Sequence, residues 1–141
     1  AIYYEHETGT DQVDAGGVIT AITSNVLSGD FDITQKRAAQ GQLLGAPDIR
    51  GDGEYIMKIR RFLPDFISQT GDTKITLFLR DYPNSSTASS PLGPFTITSS
   101  TDKVDTRARA RAIALKIENT AVSQDWKLGT FRLDIQPDGR R

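Results

Sequence analysis

The sequence predicts an all-β protein: an antiparallel β-sandwich of jelly-roll or immunoglobulin-like topology, with at most one short helix. Three observations predict it. Thr106 to Glu118 alternates with strand periodicity, so Arg107, Arg109, Arg111, Ile113, Leu115 and Ile117 share one face. Lys74 to Arg80 (KITLFLR) is apolar on both faces, as a central strand is. Across the whole chain, about eight or nine short apolar stretches are separated by Gly, Asp, Ser and Pro turn signals. A barrel is the runner-up arrangement.

Length and composition set the bounds. A chain of 141 residues suffices for one domain spanning 1–141, and a chain of this size buries about 70% of its unfolded surface. It has no cysteine, which fits a reducing compartment. Seventeen basic and eighteen acidic residues leave a net charge of −1, which argues against a general polyanion binder. The charges are unevenly placed, however: three arginines and no acid lie between Thr106 and Arg111, and the chain ends Gly139-Arg140-Arg141. No apolar run approaches a membrane span, and no signal peptide is visible. The opening at Ala1 with a strand-like Ile2-Tyr3-Tyr4 is what a domain cut from a larger polypeptide would show.

Taken in order, Ala1 to Glu7 reads as a short strand and Thr8 to Gly17 as a turn-rich stretch. Val18 to Leu27 is β-branched and alternating, a strand. Ser28-Gly29-Asp30 turns the chain into a short strand, Phe31-Asp32-Ile33. Gln35 to Glu54 is polar, with four glycines and Pro47, and reads as a long loop excursion with room for one brief helix. Glu54 to Arg61 resumes as a strand with Tyr55, Met57 and Ile59 on one side, and Pro64 bends the chain away after it. After the central strand, Tyr82 to Pro94 is a Ser/Pro/Gly loop, and Phe95 to Thr98 returns as a strand.

The last third carries two reversals of pattern. In the arginine run the face bearing the arginines becomes the apolar face partway along. Either a bulge rotates the strand near Ala112 or its two halves meet different surroundings. Further on, Trp126 and Leu128 share one parity and Phe131, Leu133 and Ile135 the other, with Gly129 at the switch. A bulge at Gly129 would keep all five on the core side.

The residue types limit the chemistry. His6, the lone histidine, lies between Glu5 and Glu7, which in a strand point away from it; a structural hydrogen bond suits it better than a hydrolytic triad. Asp11 and Asp14, and Asp48, Asp52 and Glu54, do not match the calcium loop and read as solvated turn carboxylates. Arg50-Gly51-Asp52 and the acceptor triplet Asn84-Ser85-Ser86 are short strings of little weight. Glu5/Glu7 and Asp102/Asp105 are the close carboxylate pairs near strands, and neither has an evident partner. No catalytic, cofactor-binding or metal-ligating residue emerges.

The arginine row is the most specific physical signal. Alternate residues on a strand face stand about 7 Å apart, and guanidiniums that close repel one another unless something anionic lies between them. Internal pairing with Asp65, Asp105 or Asp134 is the first reading. Contact with a neighbouring subunit comes second, and nucleic acid third, because no aromatics are interleaved. Trp126, the one tryptophan, reads as a core residue, and the tyrosines are scattered.

The tail DWKLGTFRLDIQPDGRR, preceded by RARARAIALKIEN, resembles the C-terminal end of large tail proteins of short-tailed bacteriophages and related prophages. YYEHE, SGDFDI, IRRFLPDF and GPFTI occur in the same order, so the resemblance runs over most of the chain. It departs at Gln35 to Gly51, and at Ala110, where the pattern would have glycine. The resemblance implies a non-enzymatic virion structural protein of the tail hub or nozzle, assembled in the host cytoplasm. Such proteins join a β-propeller-like body to β-sandwich domains and form rings, often hexameric, around the DNA exit channel. Other tail proteins would be neighbours, genomic DNA would lie close without sequence-specific binding, and no cofactor is implied. Arg107, Arg109, Arg111 and Trp126 would be motif positions with structural roles. The alternative is a carbohydrate-binding module for host-surface attachment, which would display two or more exposed aromatics.

Overall fold

The computed structural model describes residues 9–32, 55–82 and 89–140. The expected first strand with His6, the Gln35 to Glu54 excursion and the Asn84 triplet lie outside them. Among the described residues every regular element is a strand: β1 (Asp11–Val13), β2 (Ile19–Ala21), β3 (Ser24–Leu27), β4 (Phe31–Asp32), β5 (Tyr55–Leu63), β6 (Phe66–Thr70), β7 (Thr73–Arg80), β8 (Ser89–Ile97), β9 (Val104–Ala110), β10 (Ala112–Asn119), β11 (Asp125–Leu128) and β12 (Arg132–Arg140). No helix among them is long and apolar enough to cross a membrane.

The all-β sandwich is what forms. One antiparallel sheet runs β3-β10-β7-β8, with β4 also on β10; a second runs β12-β5-β9. Two two-stranded ribbons, β1-β2 and β11-β6, complete it. The core lies between the two larger sheets. Met57, Ile59 and Phe62 of β5 and Ala108 and Ala110 of β9 meet Ile75 and Leu77 of β7, Ile97 of β8, and Ile113, Leu115 and Ile117 of β10. Phe62 is fully buried, stacked on Phe131 and edge-on to Phe95, each at 5.5 Å between centroids.

The central position expected for Lys74 to Arg80 is where β7 sits, hydrogen-bonded to β10 on one side and β8 on the other. An apolar strand of this kind suits a position with neighbours on both edges, where Ile75 and Leu77 are fully buried and Phe78 half-buried. On β5, Met57 and Ile59 are buried as their parity requires. The strand then continues past Arg61 to Leu63. A register irregularity between Ile59 and Arg61 flips the parity, so Phe62 rather than Arg61 enters the core.

Several elements differ from expectation. The turn-rich segment contains β1, which forms a hairpin with β2 through an Asp14–Gly17 turn; Asp14 Oδ1 accepts from the backbone N–H of Gly16 and Val18, 2.8 Å each. The expected single strand Val18 to Leu27 is two strands, β2 and β3, in different sheets. Beyond Pro64 the chain pairs again as β6, with β11. The Ser/Pro/Gly loop ends earlier than expected, because β8 begins at Ser89 and takes in Pro91 and Pro94. Prolines are tolerated there because β8 is an edge strand whose ladder to β7 is irregular. Gly93 (φ +116°) lies so close to the Ile75 carbonyl that a Cβ would stand 2.9 Å from it.

Of the two readings of the arginine run, the second holds. β9 belongs to the sheet with β5 and β12, β10 to the sheet with β7, and Arg111 turns the corner between them, its N–H donating to the Arg80 carbonyl at 3.1 Å. Buried parity changes there, from Thr106, Ala108 and Ala110 to Ile113, Leu115 and Ile117.

The second reversal resolves the same way. Trp126, Leu128, Phe131, Leu133 and Ile135 all pack against the core, but Gly129 links two strands of different sheets rather than bulging one. The Gly129 N–H donates to the Asp65 carbonyl at 2.7 Å, and a Cβ there would stand 2.8 Å from that oxygen.

Candidate functional site

The outer face of the β12-β5-β9 sheet gathers charge. With Thr106, Ala108 and Ala110 turned inward, pleat alternation sends Arg107 and Arg109 outward, and both are exposed. On β5 the same alternation exposes Lys58 and Arg60. The ladder sets Lys58 directly opposite Arg109, and Arg60 falls in the irregular step opposite Thr106 and Arg107. Like charges facing across a ladder are unfavourable. The sheet answers this unevenly.

Arg109 reaches across β5 to an ion pair with Asp138 of β12. Arg61 Nε lies 3.2 Å from Asp134 Oδ2 and 4.0 Å from Asp105 Oδ1. Neither carboxylate is a hydrogen-bond acceptor for that N–H, so this contact is Coulombic proximity. Lys103 lies 3.8 Å from Asp105. Among the described residues no carboxylate lies within ion-pairing distance of Lys58, Arg60 or Arg107. Lys58, Arg60, Arg61, Asp105, Thr106, Arg107 and Arg109 line an open concavity of about 550 Å³.

The expected site residues are therefore divided. Arg107 and Arg109 share the concavity. Arg111 sits at the corner with its guanidinium 5.5 Å from the Tyr82 ring centroid, a cation–π contact. Asp138 pairs with Arg109 of the row; Asp105 and Asp134 accompany Arg61 instead, and Asp65 contributes its backbone carbonyl to Gly129. Sequence reasoning missed Lys58 and Arg60, which lie some fifty residues upstream. Their alternation within Tyr55 to Leu63 was legible, but their register against β9 was not.

Trp126 is elsewhere and half-buried. It meets Phe66 edge-on at 6.2 Å, and its Nε1–H donates to Ser24 Oγ at 3.2 Å. That hydroxyl in turn donates to Asn119 Oδ1 at 2.6 Å, and buried Asn119 donates to the Gln124 carbonyl at 3.0 Å. Trp126 thus links β3, β10 and β11 from a half-buried position at the margin of the core.

Compared with known families and with curated proteins, the chain matches none.

The remaining candidates serve the fold or lie apart. Asp11 accepts from Ser123 N–H at 2.7 and 2.9 Å, and Asp14 closes its turn. Asp102 lines a separate concavity of about 470 Å³ with residues 63–69, while Asp105 faces Arg61, so these two carboxylates share no site. Asp48, Asp52 and Glu54 lie outside the described residues.

Proposed function

We propose that the chain is a non-enzymatic structural domain of a bacteriophage tail hub or nozzle protein, working through contacts with copies of itself and with other tail proteins in a ring around the DNA channel. The carrying observation is the apolar surface on its first three strands. Val13, Val18, Ile19, Ile22, Val26 and Leu27 are all exposed, Leu27 at 60%. All four residues of β3 are exposed, and among the described residues β3 is the end strand of its sheet. Single exposed aliphatics are ordinary, but this many within one short segment, beside an open strand edge, is what a protein–protein contact looks like before its partner arrives. The motif resemblance supports the choice of partner class.

The glycan-binding alternative gains less support. A sugar platform needs two or more exposed rings; among the described residues Tyr82 is exposed, with Arg111 over its ring, whereas Trp126 is half-buried against Phe66 and Ser24.

The test is an immunoblot of purified phage particles with antibody to this chain. The reading expects a particle-bound band much heavier than 15.5 kDa. A signal confined to infected-cell lysate, or micromolar glycan binding by the protein, would sink it.

A further inference from the structure

We propose that the concavity between β5 and β9 is a phosphate-binding site, with Lys58, Arg60 and Arg107 as its ligating cations. This goes beyond the structural reading and stands without it. The fold leaves positive charge unbalanced on this face. Cross-strand neighbours on one sheet face stand about 5 Å apart, and here the ladder sets Lys58 against Arg109, while Arg60 falls in the irregular step that also holds Arg107. Asp138 neutralises one of the four. The other three face solvent without a carboxylate, around an open concavity with room for a phosphate group and its neighbours.

Inside the sandwich such a row would be intolerable; on an open face it is tolerable but unfavourable, and an anion seated among the three converts repulsion into attraction. The donor set suits a phosphate. Two guanidiniums present flat forks for pairs of oxygens, and the lysine adds a rotatable point charge. Among the described residues no ring lines the concavity, so the chemistry recognised is the phosphate and not a base. The phosphate could belong to a free phosphate or polyphosphate, or to the backbone of a nucleic acid.

The test is an amide-resolved NMR titration of the full chain at low salt with inorganic phosphate, tripolyphosphate, a short random-sequence DNA duplex and a polyglutamate peptide. Shifts centred on Lys58, Arg60 and Arg107 with phosphate or tripolyphosphate support a free-phosphate site. Shifts there with duplex alone support a backbone site, and each of Lys58→Gln, Arg60→Gln and Arg107→Gln should then lower the salt slope by about one. The triple variant should bind about tenfold or more weakly. Its thermal midpoint should be no lower than that of the unaltered chain, since it removes repulsion, which separates lost binding from lost folding. Unchanged affinity in the triple variant, shifts elsewhere, no binding by any phosphate probe, or tighter binding of polyglutamate overturns the proposal.

Discussion

Strands β9 and β10 are consecutive, separated by one residue, and read in sequence as one alternating run. They nevertheless have different jobs. β9 buries three small side chains, Thr106, Ala108 and Ala110, and spends its other face on cations in solvent. β10 buries Ile113, Leu115 and Ile117 on one face and Ala114 on the other. The difference follows from their neighbours. β10 has β7 on one side and β3 and β4 on the other, whereas among the described residues β9 pairs with β5 alone. Alternation identifies the face that matters only within one sheet, and a corner residue such as Arg111 resets it.

Substitutions in β10 should cost the most stability. Ile113→Ala, at a fully buried position, should lower stability by about 2–5 kcal/mol in a denaturant titration. A cost under that of a surface substitution would mean that β10 is not the core strand. On β9 the inward face is limited by space rather than by apolar area. Ala108→Leu should therefore destabilise by about 1–3 kcal/mol through overpacking, while Arg107→Leu on the outer face should not. A similar cost at both positions would erase the distinction between the faces.

Thr106 sharpens the contrast further. Its buried hydroxyl donates to the Ile59 carbonyl at 2.9 Å, tying β9 to β5, so Thr106→Val should cost about 1 kcal/mol at nearly constant volume. Smallest of all, Arg109→Gln removes an exposed pair with Asp138 and should shift stability by about 0.2–1 kcal/mol, less as salt is raised. A salt-independent loss would mean that the pair is more protected than its exposure indicates.

Much of the fold was legible wherever a segment's own residues decide its state. The class, the central strand at Lys74 to Arg80 and the buried Met57 and Ile59 follow from local pattern. So does the shared core placement of the five apolar residues from Trp126 to Ile135. What was hidden depends on partners distant in sequence. β6 is legible only once β11 pairs with it, and the start of β8, rich in Ser and Pro, only once β7 lies alongside. The candidate site shows the same division. Arg107 and Arg109 were visible as a row, but the lysine and arginine facing them, and Asp138 reaching one of them, come from register across three strands. Ala110 stands where glycine was expected, and its methyl is buried at 1% exposure, so the backbone there did not need the smaller residue.

The last strand has a mechanical consequence. Among the described residues β12 pairs with β5 alone and antiparallel to it, so its final residue, Arg140, lies opposite Tyr55, the first residue of its partner. A pull on the chain's end therefore loads one rung at a time, like a zip opened from its tab, instead of shearing all rungs together. The rungs nearest the tab are the weakest: Pro137 donates no hydrogen bond, Gly139 has φ +99°, and the register slips between Pro137 and Arg140. Amide exchange along β12 should accordingly slow from Gly139 back towards Leu133, where the strand reaches Phe62 and the core.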